Sequence, residues 1–150
     1  MRADYINAIL NSSRQTVQTL FGVEPEKKEM YVTDILETPY SHILHFQLDG
    51  ELFGVFAISF PEEVAIEMCK KMTGGMVETL DDMGLSALEE SGNMIKGGIV
   101  NSLGEWNSDI PMVLLLNKNE LALLPTQTLV IEAESEIGPM QFHISVHSMN

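Results

Sequence analysis

Leu85, Leu88, Gly92, Ile95, Ile99 and Leu103 recur at three- and four-residue intervals, the spacing of a helix that buries one stripe and leaves the other side to solvent. Stepping about 100° per residue around that helix puts Ser86, Glu90, Asn93, Gly97 and Asn101 opposite the stripe. Glu90 and Asn93 stand three residues apart and so share a face. An exposed acid and amide beside a glycine predict a docking surface.

The remaining chain arranges itself around this helix. Ile6, Ile9, Leu10, Val17 and Leu20 carry a first helical period from about Asp4 to Phe21, and Gly22 ends it as a left-handed cap. Extended stretches follow at 30–35, 42–48 and 52–60, with Asp49-Gly50 predicting a two-residue hairpin between the last two. Pro61 opens a helix that runs to Met72 and is stopped by Thr73-Gly74-Gly75, and Thr79 with Asp82 reads as a capping pair for the long helix, which reaches about Gly104. Beyond Asn107, Ser108, Asp109 and Pro111 the pattern is strand-like: 112–116, a turn at Asn117-Lys118-Asn119, 121–124, 127–133, a turn at Gly138-Pro139, and 140–146.

The chain therefore reads as an α+β fold of two similar halves, each a long helix plus about three antiparallel strands, although no residue-level repeat is visible. The first helix has Asp4 before Asn7, on a face that periodicity does not settle as exposed, so one functional face is expected.

With 150 residues, 45% of them hydrophobic, the chain suits a single domain over 1–150. Eight Lys and Arg against 22 Asp and Glu give a net charge of −14, which repels nucleic-acid backbones and anionic lipid, so neither is an expected partner. The single cysteine, Cys69, sits beside Met68 in an amphipathic stretch and reads as a small core residue in a reducing compartment. No apolar run approaches the roughly 18 residues of a membrane span, and a cytoplasmic location is expected. His143 and His147 share a strand face, but His42 and His45 lie on opposite faces, so no metal site is expected. Most of the ten methionines, including Met68, Met72 and Met94, fall at helical packing positions and read as core filler. There is no glycine-rich phosphate loop and no nucleophile elbow.

The segment Glu90-Ser91-Gly92-Asn93-Met94-Ile95-Lys96-Gly97, on a long helix after a shorter one, resembles the Glu-x-x-Asn signature of the CheC and CheX chemotaxis phosphatases. The likeness extends to Tyr5-Ile6-Asn7, Phe21-Gly22-Val23, the strand from Gly54 to Phe60, Pro111, and Glu136-Ile137-Gly138-Pro139-Met140, which are similar to CheX in order and spacing. It implies a CheC/CheX-like fold and hydrolysis of the aspartyl phosphate of a CheY-like receiver domain. CheX-type members are dimers joined through their sheets, so a homodimer is implied. CheC-type members carry the pair in both halves; this chain's single pair resembles the CheX type. Two departures are Ser91, where an apolar residue is usual, and Lys96-Gly97-Gly98, where the family often has Ala-Gly-Asn.

Hydrolysis of an acyl phosphate needs a water held in line with the leaving carboxylate oxygen, plus charge neutralisation. By the resemblance, the receiver supplies Mg²⁺ and a lysine, and this chain binds no cofactor of its own. Asn93, with both a carbonyl acceptor and an amide donor, suits the positioning of that water. Glu90, one turn earlier, suits the receiver's lysine, and Ser86, Gly97 and Asn101 extend the partner-binding face, with glycine leaving room for close backbone approach. The competing reading keeps the same surface as a non-catalytic receiver-binding or dimerisation module.

Overall fold

The computed structural model describes residues 3–121 and 125–149. In chain order the elements are α1 (Ala3–Phe21), β1 (Glu26–Ile35), β2 (His42–Gly50), β3 (Leu52–Phe60), α2 (Glu62–Met72), α3 (Asp82–Ser102), β4 (Ser108–Asn117), β5 (Pro125–Ser135) and β6 (Gly138–Ser148), with short 3₁₀ turns at Gly104–Trp106 and Lys118–Glu120. The six strands form one antiparallel sheet in the order β1-β5-β6-β3-β2-β4. The helices bury their stripes on one side of it, against Leu44, Phe46, Phe56, Ile58, Phe142 and Ile144.

The two halves are α1-β1-β2-β3 and α3-β4-β5-β6, and exchanging them turns the strand order into its own reverse. Each half lends its first strand to the other, since β1 pairs with β5 and β4 with β2. The swap makes the halves inseparable as folding units. A residue-level correspondence also exists. Setting Phe21-Gly22 against Leu103-Gly104 matches the buried Ile9, Ser13, Val17 and Phe21 of α1 to the buried Ser91, Ile95, Ile99 and Leu103. It escaped the sequence because buried serines interrupt the apolar match in both helices. Ser13 and Ser91 satisfy their hydroxyls by donating to backbone carbonyls one turn back, Leu10 O at 3.0 Å and Leu88 O at 2.6 Å, which lets a polar residue occupy a core position.

Several local expectations are corrected. The β2–β3 hairpin is wider than two residues: Leu48 pairs with Gly54, and Asp49 and Gly50 continue β2 to pair with Asp109 and Ser108 of β4. At Gly50 the backbone has φ +132° and a side chain would strike Asn107 O, so glycine is required there by strand–strand approach. The last hairpin turns at Glu136-Ile137, because Ser135 pairs with Gly138. β4 begins at Ser108 and contains Pro111, which falls in the register irregularity opposite Leu48 on this edge strand, where the ladder is already broken. The stretch 121–124 lies, beyond Leu121, outside the described residues; Leu121 itself is in a bend.

On the side away from the helices, the segment after β1 is pinned to the sheet by buried polar bonds. Thr38 Oγ1 donates to Ser59 Oγ at 2.8 Å, and Ser59 Oγ lies 2.8 Å from His143 Nε2. His143 is 1% exposed, its Nδ1 has no partner, and desolvation pushes its pKa down from 6.5 to about 4. The unfolded chain therefore takes up a proton between those values while the folded chain does not, so stability falls as pH falls through that window. Between pH 7 and 5.5 the loss due to His143 is about 1 kcal/mol. Urea titrations of wild type and His143→Gln at both pH values should show a smaller loss in the variant; equal losses would place the pH sensitivity elsewhere.

Candidate functional site

Helix α3 is built so that one face is tied down and the other is free. Its N-cap is Asp81, whose carboxylate accepts from Gly84 N at 2.9 Å, so the expected Thr79–Asp82 pair is replaced by a cap two residues later in the chain. The reason is the crossing of the chain over the helix start: Thr79 O packs against Gly84, where a side chain would collide with it. Leu88, Gly92, Ile95, Ile99 and Leu103 are buried as the period predicts, while Leu85 is only half-buried near the helix start.

Gly92 sets the height of the helix above the sheet. A Cβ there would lie 3.1 Å from both Leu44 Cδ2 and Val113 Cγ1, tighter than ordinary contact, so the helix backbone rests on the side chains that β2 and β4 send up. Gly98 does the same against α1, with Thr16 Oγ1 2.8 Å from its absent Cβ. Nearby, Ser102 Oγ approaches Ser12 Oγ at 3.3 Å. Small residues on both helices thus permit their close approach.

Ser86, Glu90, Asn93, Gly97 and Asn101 are all exposed on the outward side of this fixed helix. Asn93 also overlooks a cleft of about 280 Å³ between α3 and the edge strand β4, floored by Leu44, Val113 and Leu115. Glu89 shares that cleft with Asn93, being one turn earlier at i−4, whereas Glu90, also exposed, does not line it. The cleft was not legible from the sequence, because it depends on which strand forms the sheet edge beside α3. The methionines are a correction: Met30, Met76, Met83, Met94, Met112 and Met149 are exposed instead of filling the core, and Met94, at 46%, borders the outward face. Its position directly after Asn93 carries it past the buried stripe. Among the described residues no group of three or more His, Cys, Asp and Glu side chains is gathered to hold a metal ion, and no helix is long and apolar enough to cross a membrane.

The family described as "Chemotaxis phosphatase CheX" matches residues 45–132 of the chain. The CheY-P phosphatase CheX of Thermotoga maritima is 32% identical over 104 residues, covering 69% of this chain and 67% of that protein. The chain belongs to the CheX family. Solved structures agree on the fold. The CheX chemotaxis protein of Vibrio vulnificus superposes with a TM-score of 0.81 at 18% identity, over 97% of this chain and 100% of the other. A CheC-like superfamily protein from Shewanella sp. PV-4 gives 0.80 at 21% identity, over 99% and 100%. The CheX of Borrelia burgdorferi, solved in complex with CheY, BeF3 and Mg²⁺, gives 0.72 at 20% identity, over 98% and 100%.

For a CheX family member the two departures noted in the sequence have physical explanations. Ser91 is fully buried and back-bonded, so it serves the helix and not the exposed face. Gly97 and Gly98 differ from each other: nothing lies within 4 Å of a Cβ added at Gly97, while Gly98 is in the α1 interface. Gly97→Ala should therefore stabilise the fold by about 0.5–1 kcal/mol, the helix-propensity gain of a methyl in open space. Gly98→Ala should show no such gain, because Thr16 must move and loses its 3.0 Å bond to Ser12 O. Urea midpoints of the two variants test the contrast.

Proposed function

We propose that this chain is a receiver phosphatase: α3 docks on a phosphorylated CheY-like receiver domain, Asn93 positions the water that attacks the aspartyl phosphate, and Glu90 engages the receiver's lysine. The observation that carries this reading is the exposed Glu90 and Asn93, one turn apart on a helix seated on the sheet through Gly92, in a chain 32% identical to a CheY-P phosphatase. The CheX–CheY complex of Borrelia burgdorferi supports a receiver as the partner.

The chemistry asks little of this chain. The water oxygen bonds to phosphorus as the bond from phosphorus to the aspartyl oxygen breaks, releasing inorganic phosphate and the free carboxylate. Mg²⁺ held by the receiver neutralises the phosphoryl oxygens. The Asn93 side chain has an acceptor for one water hydrogen and a donor for a neighbouring oxygen, so its part is orientation. A helix fixed by close packing holds that amide at one height and angle, and a misplacement of about 1 Å is enough to cost on the order of 10²-fold in rate. Glu90 forms a charge-assisted contact at the rim and fixes docking depth. Ser86, Gly97 and Asn101 complete the contact face, with Gly97 letting the receiver backbone approach.

Asn93→Ala should bind an activated receiver nearly as well as wild type and release phosphate on the order of 10²-fold more slowly. Glu90→Ala should weaken binding, and Glu89→Ala should weaken it less. Binding titrations beside phosphate-release time courses on the same samples decide the matter. Equal phosphate release by wild type and Asn93→Ala would make the chain a docking module, and a larger loss from Glu89→Ala would move the receiver's lysine into the α3–β4 cleft. Gly97→Ala should combine higher stability with slower dephosphorylation.

A homodimer joined through the sheet in the cytoplasm belongs to the same reading. The face of the sheet away from the helices exposes Phe53 at 41% and Leu114 at 39%, apolar surface that a second copy would cover without closing either helix-side cleft. Light scattering at micromolar concentration should return twice the chain mass; a monomer unchanged by dilution would remove the dimer from the proposal.

A further inference from the structure

The correspondence between the halves places a second cleft where α1 meets its own edge strand, β1. It has about the same volume as the first, about 290 Å³ against 280 Å³. Matching α1 to α3 by their buried residues sets Asn11 where Asn93 stands, Asn7 where Glu89 stands, Ala8 where Glu90 stands and Arg14 where Lys96 stands. The sheet agrees: Leu44 pairs with Leu115 on β4 as Leu129 pairs with Val32 on β1, and Leu129 and Met30 line the second cleft as Leu44 and Val113 line the first. Asp4 and Asn7, both exposed, precede the matched position, so the acid–amide spacing in α1 falls too early to reproduce the α3 face.

The two clefts differ in packing, since Leu10 stands where Gly92 does and α1 sits less closely on β1 than α3 on β4, and they differ in charge. The first cleft is lined by Glu89, with Glu90 next to it in the chain, whereas the second is lined by Arg14 and Lys27 together with the amides of Asn7 and Asn11. This chain has only eight Lys and Arg against 22 acids, yet two of the eight converge here. Among the described residues neither forms an ion pair, although Glu24 lies on the far side of Arg14. The floor is apolar, formed by Met30, Leu129 and Ile131. An apolar floor under two unpaired cations and two amides is complementary to an apolar side chain flanked by carboxylates.

We infer that the α1–β1 cleft is a second docking site, which binds an acidic, amphipathic peptide segment of a partner protein through Arg14 and Lys27. A protein segment is favoured over a nucleic acid or an anionic membrane, since two cations in a chain of charge −14 are too few to hold a polyanion. Ala8 in place of the acid leaves this site without the pair proposed for catalysis, so its role is recruitment.

The test is independent of the phosphatase reading and uses no receiver. A displayed library of random peptides is selected on the full chain, and enriched sequences are synthesised and titrated by fluorescence anisotropy. Enriched peptides should be acidic with at least one large apolar residue, should bind more weakly as salt is raised, and should lose tenfold or more in affinity to R14E/K27E. Affinity for Asn93→Ala should be unchanged, and thermal melts should show that the exposed substitutions leave the fold intact. The proposal is overturned if no acidic peptide is enriched, if R14E/K27E binds as well as wild type, or if Asn93→Ala loses binding. It is equally overturned if octanoate binds more tightly than any enriched peptide, which assigns the cleft to a small amphiphile. A change of molecular mass in R14E/K27E without peptide would show that a second copy fills it.

Discussion

The backbone of α3 rests directly on the side chains of Leu44 and Val113 because Gly92 has no side chain of its own. This contact fixes the height of the helix, and the height fixes everything outward of it: the angle of Asn93, the reach of Glu90 and the depth of the cleft against β4. Glycine inside a helix costs about 1 kcal/mol relative to alanine. Here that cost is offset by burial of the flanking Leu88 and Ile95. A larger residue at Gly92 would lift the helix by overpacking and move the amide with it, which makes a core position as important to the exposed face as the exposed residues themselves.

The exchange of first strands between the halves has a functional consequence. Because β4 belongs to one half by sequence and to the other by pairing, each long helix lies beside an edge strand that follows it in the chain but hydrogen-bonds to the opposite half. Two clefts of similar volume result, one per helix, and they share one frame. Their floors stay apolar while their rims differ in charge. Rim residues are exposed and carry little of the folding free energy, so the two sites are free to diverge in the partner they accept while the core remains common.

The far side of the sheet is held by a different kind of interaction. Thr38, Ser59 and His143 form a buried chain of hydrogen bonds that ties the β1–β2 connection to the centre of the sheet. Buried histidine is costly to charge, and its depressed pKa places this part of the molecule among the first to feel acid. On the helix side the core is mainly apolar, and the polar side chains of Ser12 and Ser102 meet only where α1 and α3 approach.

Much of the site was legible in the sequence. The spacing of Leu88, Gly92, Ile95, Ile99 and Leu103 determined by itself that Ser86, Glu90, Asn93, Gly97 and Asn101 face outward, because helical periodicity is a local property. The same holds for most element positions and for the stop at Gly22. What the sequence could not decide was everything set by neighbours distant along the chain. Asp81 replaces Thr79 as the cap because of how the chain crosses the helix start, the β2–β3 hairpin widens because β2 continues to pair with β4, and Met94 stays exposed because no element covers that side. Only the tertiary structure brought β4 beside α3 and β1 beside α1, since strand order depends on pairing between halves and not on local pattern. The clefts and the opposite charge of their rims exist for that reason alone.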